Sequence, residues 1–272
     1  MKMTPNLEKI LQSADITEQE LKDLLKGQRP EASRVYNLEG QDAIYGVISD
    51  SHIGHKCYDA NLMDLAAEVF HKRKVEFVLH GGDICEGHYE AKRPGHVFEM
   101  EHIGGDEQVN RAIKELKKLE LPIIAITGNH EHNTFYKQQG FDIGTRLAEQ
   151  VPNFTYLGNA HGFVKMAFGH RIQLIHPDGG ASYAISYKSQ KIVESLESGS
   201  KPAVLHIGHF HKAEYLFYRG IHAIQNGCLE SQTPFQKNNH LAAHRGFWVV
   251  SLTVGKEGVK RIVPEFYPAY GK

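Results

Sequence analysis

The stretch AIYGVISDSH, residues 43–52, runs from an apolar segment of strand length into a turn that holds an aspartate and a histidine. Two later stretches repeat the design: VEFVLHGGDICE (75–86) and PIIAITGNHE (122–131). Helical patterns lie between them, from about Asp59 to Lys72 and from about Asp106 to Leu119. Strand, helix, strand, helix, strand is the signature of an α/β fold with parallel strands. RIQLIH (171–176) and AVLHIG (203–208) end in the same manner, on His176 and on the run Gly208, His209, Phe210, His211. The carboxyl ends of parallel strands share one crevice in open α/β sheets, so five clusters far apart in sequence can build one site. Gly82, Gly128 and Gly208 are expected to let the backbone turn sharply there. Asp50 and His52, and likewise His209 and His211, stand two apart, a spacing that on extended backbone is expected to let each pair face the same way.

Working outward, further strands are expected near FVKMAF (163–168), EYLFYR (214–219), IHAIQ (221–225) and GFWVVSLTV (246–254), with a third long helix over about 183–197. Residues 40–272 read as one α/β domain. Residues 1–38 read as an N-terminal helical segment: Leu7, Ile10 and Leu11 recur at helical spacing, a second helix follows Thr17 and Glu20, and Gly27, Arg29 and Pro30 end it. That segment is either an arm or helix-turn-helix-like. Six basic residues against seven acidic ones in the first forty is the wrong balance for phosphate contact, which favours a packing or dimerisation arm. Residues 87–105 form a loop too long for an ordinary strand-to-helix connection, and such loops are usually functional or mobile.

Composition narrows the function. The 272 residues carry 31 Lys plus Arg against 32 Asp plus Glu, a formal charge of −1. No global field therefore holds nucleic acid or an acidic membrane, and phosphate binding needs a local site. Cys57, Cys85 and Cys228 are odd in number and form no CxxC pair, which fits reduced thiols and argues against a thiolate zinc site. The N-terminus turns polar too early for a signal peptide, and no apolar run approaches the roughly 18 residues of a membrane span. A soluble cytoplasmic protein is expected, with no membrane partner. The 18 histidines are about three times what average usage supplies.

Imidazole and carboxylate together suit a pair of divalent transition metals, Mn, Fe, Zn, Ni or Co, and the carboxylates are too few for a calcium cage. Two dications ~3.5–4 Å apart repel by something on the order of 20 kcal/mol at an effective dielectric of ~20. A bridging carboxylate is needed, and Asp83 is the natural candidate. Asp50, Asp83 and a bridging hydroxide would leave a site of about +1 that still attracts phosphate. His80 and His206, inside apolar strands, read instead as buried histidines with satisfied hydrogen bonds.

The order D-x-H (50–52), G-D-x-x-E (82–86), G-N-H-E (128–131), His176 and G-H-x-H (208–211) resembles the calcineurin-like metallophosphoesterase superfamily. The resemblance implies a four-layer α/β/β/α sandwich of two mixed sheets with the dimetal site at one edge. It implies that Asp50, His52, Asp83 and His211 hold one metal, and that Asp83, Asn129, His176 and His209 hold the other. It makes His130 a catalytic residue near the leaving group rather than a ligand, and it implies in-line attack by a metal-bridging hydroxide, with Mn the expected metal in vitro. Glu86 stands where many members have aspartate, and a role orienting His52 or His130 is expected; Glu131 is expected to support its loop. His88, His96 and His102 in the long loop could touch substrate, and Lys92 and Arg93 could bind its phosphate. The run SDSHIGH (49–55) resembles the opening of the family's DNA-repair exonucleases and of the archaeal replicative polymerase small subunit, which leans toward a phosphodiester, with nucleic acid as a partner. The alternative is a nucleic-acid-associated scaffolding protein whose metal site is vestigial or structural.

Overall fold

Twelve strands divide into two six-stranded sheets in the computed structural model, which describes residues 35–269 except 39, 91, 198 and 200. The helices expected between residues 7 and 25 lie outside the described residues. The first sheet has the order β12 (Gly258–Pro268), β11 (Gly246–Gly255), β2 (Asp42–Ile48), β3 (Phe77–Gly81), β4 (Ile123–Thr127), β5 (Phe154–Asn159). Its strands β2, β3, β4 and β5 run parallel, while β11 is antiparallel to both its neighbours. The second sheet has the order β1 (Val35–Asn37), β6 (His161–Lys165), β7 (Arg171–Ile175), β8 (Val204–Ile207), β10 (Ile221–Asn226), β9 (Ala213–Tyr218). Here β7, β8 and β10 are parallel and β9 is antiparallel. Both sheets are therefore mixed.

Alternation along the strands explains the layering. Tyr45, Val47, Leu79, Ile124, Ile126 and Trp248 of the first sheet meet Val164, Ile172, Leu174, Val204 and Ile224 of the second in one core. The opposite face of the first sheet, with Ile48, Val78 and Ala125, packs on helices α1 (Ala60–Lys72), α2 (Gly105–Lys117) and α3 (Ile143–Gln150). The outer face of the second sheet, with Leu205, Ile207 and Ala223, takes Val193 of α4 (Ile185–Ser195). Helix, sheet, sheet, helix is the four-layer sandwich that the resemblance implied. In α1 the buried Leu62, Met63, Ala66 and Phe70 line one helical face, and the Asp59 carboxylate accepts from the Leu62 N–H to cap its start. Each such fully buried large side chain contributes about 1.5–3 kcal/mol.

Two local expectations need correction. The strand expected over 163–168 ends at Lys165, because Ala167–Gly169 make a tight turn in which Phe168 (φ 60°) and Gly169 (φ 79°) are left-handed and the Met166 N–H donates to the His170 carbonyl. Val35–Asn37, grouped with the N-terminal helices by sequence, form a strand paired in parallel with β6.

His206 sits fully buried between the sheets, where Nδ1 donates to Asn226 Oδ1 (3.1 Å) and Nε2 accepts from the Tyr45 hydroxyl (3.1 Å). Burial pushes it down to about 4. The folded chain thus refuses a proton that the unfolded chain accepts near 6.5, so this residue's contribution to stability falls as pH drops from about 6.5 to about 4. The urea midpoint of wild type should lose its advantage over His206→Gln across that interval.

Candidate active site

The parallel strands of both sheets deliver their following residues to one edge. Asp50 and His52 follow β2, Asp83 follows β3, Asn129 and His130 follow β4, His176 follows β7, and His209 and His211 follow β8. Five of these residues occupy left-handed backbone: Asp50 (φ 49°), His52 (50°), Asp83 (49°), His209 (78°) and His211 (53°). A non-glycine residue there costs ~1–3 kcal/mol, and such strain clusters where side chains must point one way. The glycines act partly for a different reason than sharp turning. Gly82 does turn with positive φ (96°), but Gly128 has φ −116° and is needed for close approach, since a Cβ there would strike Asp83 Oδ1 and the His176 ring.

Two clusters meet at Asp83. In the first, the ligating atoms of Asp50, His52 and His211 lie within 4.8 Å of one another, with His52 Nε2 3.0 Å from His211 Nε2 and Asp50 Oδ1 3.5 Å from His211 Nε2. In the second, Asp83, His176 and His209 converge within the same limit. Asp83 Oδ2 stands 3.0 Å from His176 Nε2 and 4.0 Å from His52 Nε2, so it faces both groups. Asn129 Oδ1 is 3.2 Å from His176 Nε2. Partners on the far side of each ring fix the nitrogen that points inward. His176 Nδ1 donates to the Gly81 carbonyl (2.8 Å), His52 Nδ1 to Glu86 Oε2 (2.7 Å), and His209 Nε2 to the Gly179 carbonyl (2.5 Å). Two neutral imidazole rings nose to nose, with carboxylate oxygens beside them, make a donor set that fits divalent transition metals.

The electrostatics record how tightly these groups are held. Burial, with Asp83 nearby, pushes Asp50 up to about 7. Burial also acts to raise Asp83, but the charges of His176 and His130 outweigh it and hold the carboxyl well below its usual range. For His176 burial is overcome by Asp83, and the ring rises to about 10. Burial drives His52, His209 and His211 down, His209 to about 4, which keeps these rings neutral and able to donate lone pairs.

His130 differs from the histidines that meet at Asp83 in the two clusters. Its Nδ1 donates to the Glu86 carbonyl (2.7 Å), its backbone N–H donates to Asp83 Oδ1 (2.9 Å), and Nε2 lies 3.9 Å from Asp83 Oδ2. Burial is outweighed by Glu86 and Asp83, which raise the ring to about 9. Glu86 is the hub behind it: one carboxylate oxygen accepts from His52 and lies 3.2 Å from His130 Nδ1, while the other accepts from His96 Nε2 (2.9 Å). Glu131 accepts the backbone N–H groups of Cys85 and Gly128 (2.8 and 2.9 Å) and ties the β3 and β4 loops together.

A cleft of about 380 Å³ opens over this edge. His52, Asp83, Glu86, Asn129, His130, His209, His211 and Arg93 line it. His88 and Lys92 do not, and His96 is buried behind Glu86 instead of facing substrate. Sequence reasoning missed Tyr89, whose hydroxyl donates to the Asn129 carbonyl (2.9 Å), and Ser49, which donates to Asp50 Oδ2 (2.5 Å). It also missed Gln236, whose side-chain amide donates to His211 Nδ1 (2.9 Å), and the buried Glu230 on the cleft wall.

A four-layer sandwich carrying a buried histidine–carboxylate cluster at the strand ends, under an open cleft, defines a metal-dependent phosphoester hydrolase fold. The chain belongs to the calcineurin-like phosphoesterase superfamily, whose domain matches residues 44–244. It is similar to the DNA polymerase II small subunit of Methanothermobacter thermautotrophicus, 43% identical over 49 residues, a match that takes in 18% of this chain and only 10% of that protein. Among solved structures it is similar to an archaeal phosphodiesterase (16% identity, 82% of this chain and 99% of that one, TM-score 0.46). It is also similar to the E. coli phosphoesterase YfcE (12% identity, 81% and 98%, TM-score 0.45). Among the described residues no helix is long and apolar enough to cross a membrane.

Proposed function

We propose that the chain is a dimetal-dependent, cytoplasmic hydrolase of phosphodiesters, in nucleotides or nucleic acid, in preference to monoesters. The observation that carries this reading is the meeting of two ligand clusters on the single carboxylate of Asp83. Asp50, His52, Asp83 and His211 would hold one ion, and Asp83, Asn129, His176 and His209 the other. When bound, the ions supply Lewis-acid polarisation of phosphoryl oxygens and acidify water for attack on phosphorus. The chain's own residues do the rest. Glu86 orients His52 and His130, and the strained backbone aims the ligands. His130, held through Nδ1, carries on Nε2 a proton it can give to the departing ester oxygen. The local similarity to a DNA polymerase small subunit supports the diester reading.

The test is a panel of bis-p-nitrophenyl phosphate, p-nitrophenyl phosphate, a 2′,3′-cyclic nucleotide and single-stranded DNA, each with Mn²⁺, Fe²⁺, Zn²⁺, Ni²⁺ and Co²⁺. Faster turnover of the diesters is expected. A monoester preference overturns the diester assignment, and silence with every metal favours a scaffold. Glu86→Ala, which strips three histidines of their carboxylate, should weaken Mn²⁺ binding about 10–100-fold in a calorimetric titration.

A further inference from the structure

The long loop 87–105 brings one side chain to the cleft that the chemistry above does not use. Arg93 is the single lysine or arginine among the cleft-lining residues, and its guanidinium is held between two rings, 5.1 Å from the Tyr89 centre and 4.6 Å from the Phe235 centre. Its side chain is 36% exposed and makes no hydrogen bond to any described residue; the nearest carboxylate oxygen, Glu86 Oε1, is 3.8 Å away and already accepts from His96. A half-exposed ion pair of that length is worth little. Stacking fixes the plane of a guanidinium and leaves its N–H edge free, and that fork matches phosphate oxygens.

The mounting is firm. Tyr89 is anchored to the Asn129 carbonyl, and the Glu90 carboxylate accepts the N–H groups of Gly95 and Val97, which closes the loop on itself. Phe235 is the second residue of the short helix α5 (Pro234–Asn238), is 44% exposed, and lies on the cleft wall. Arg93 lies 3.8 Å from one Glu86 carboxylate oxygen and His130 Nδ1 lies 3.2 Å from the other, so the cation and the aromatic face flank the same buried carboxylate as His130, at the rim of the ligand clusters. A cation that tracks phosphate beside an exposed ring is the pairing by which single strands are bound, backbone on the charge and base on the ring. A cleft of about 380 Å³ takes a nucleotide-sized unit.

We propose that Arg93 and Phe235 form a subsite for single-stranded nucleic acid beside the ligand clusters, with Arg93 on a backbone phosphate and Phe235 stacked on a base. This rests on the phosphoesterase reading of the neighbouring site.

The experiment is fluorescence anisotropy of labelled octathymidylate with the full-length protein in EDTA at low salt, for wild type, Arg93→Ala, Arg93→Lys and Phe235→Ala, each first checked by circular dichroism. Arg93→Ala should weaken binding about 10-fold and lower the slope of log Kd against log salt by ~0.7, the share of one phosphate contact on a single strand. Arg93→Lys should restore the slope. Phe235→Ala should weaken binding by ~5–100-fold, the loss of one stacked base, without changing the slope. Failure of wild type to bind, equal binding by all four proteins, or equal affinity for a duplex of the same length overturns the proposal. Wild-type turnover of bis-p-nitrophenyl phosphate separates the two readings. Turnover without octathymidylate binding leaves the hydrolase and removes the subsite; Arg93-dependent binding without turnover of any ester does the reverse.

Discussion

Asp83→Asn is expected to lose activity by roughly three orders of magnitude and to lose bound metal, while the fold survives. The carboxylate is buried and faces His176 at 3.0 Å, His130 at 3.9 Å and His52 at 4.0 Å, while Oδ1 accepts the His130 backbone N–H. Asparagine can keep that last bond through its carbonyl oxygen, so the backbone has no reason to move. Its amide nitrogen then takes the place of Oδ2, opposite His176 Nε2. Loss of the Asp83 charge that held the His176 ring protonated lets it become neutral; with Nδ1 donating to the Gly81 carbonyl, the lone pair then falls on Nε2, and the new amide N–H donates into it. The substitution therefore removes the charge shared by the two clusters and stoppers a ligating nitrogen as well. Losing the ions forfeits several kcal/mol of transition-state charge stabilisation, which at ~1.4 kcal/mol per decade gives the expected factor. Elemental analysis of the purified variant beside wild type, with turnover of bis-p-nitrophenyl phosphate, checks both parts. A variant that keeps its metals and its rate removes Asp83 from the centre of the site.

The residues that meet at Asp83 were readable because each follows an apolar run, and the topology sends the carboxyl ends of β2, β3, β4, β7 and β8 to one edge. The same rule applied to IHAIQ (221–225) points to Asn226–Glu230, since β10 is parallel to β8. Glu230 on the cleft wall was thus within reach of sequence reasoning. Gln236 was not, because it reaches His211 from α5, a helix of five residues with no periodic pattern to announce it. Besides β1, two strands were missed for a common reason. β5 and β12 are the edges of the first sheet, half-buried rather than alternating, and β12 contains Pro264, tolerated only where one side of the ladder is unpaired. The left-handed backbone at Asp50, His52, Asp83, His209 and His211 has no local sequence signal, since none of these residues is glycine. It is imposed by contacts between distant loops, such as the His209 N–H donating to Asp50 Oδ1 at 2.9 Å. The loop 87–105 stood out by length alone. That His96 folds back under Glu86 while Arg93 reaches the cleft depends on ring stacking and buried hydrogen bonds that no spacing encodes.

His130→Ala separates holding metal from moving a proton. The ring contributes no lone pair to either ligand cluster through Nδ1, which is committed to the Glu86 carbonyl, and the backbone N–H that donates to Asp83 survives in alanine. Metal content should therefore match wild type. The rate should not. Glu86 and Asp83 outweigh burial and raise His130 to about 9 in the protein, so near neutral pH the ring is charged and can supply a proton to a departing oxygen. Proton donation of this kind is worth about 10²–10⁴ in rate, but only for a leaving group that needs it. A nucleoside alkoxide does; p-nitrophenolate, stable as an anion, needs it far less. The loss in kcat should thus be about 10²-fold or more on a dinucleotide and several-fold on bis-p-nitrophenyl phosphate. A structural defect would lower both equally. The pH profile gives a second reading: wild-type activity on the dinucleotide falls on the alkaline side as the ring deprotonates, at a pH below 9 once the cations add their charge, and that limb disappears in the variant. Equal losses on both substrates, or an alkaline limb that persists in the alanine variant, would remove the proton from His130 and assign the residue to holding Asp83 in place.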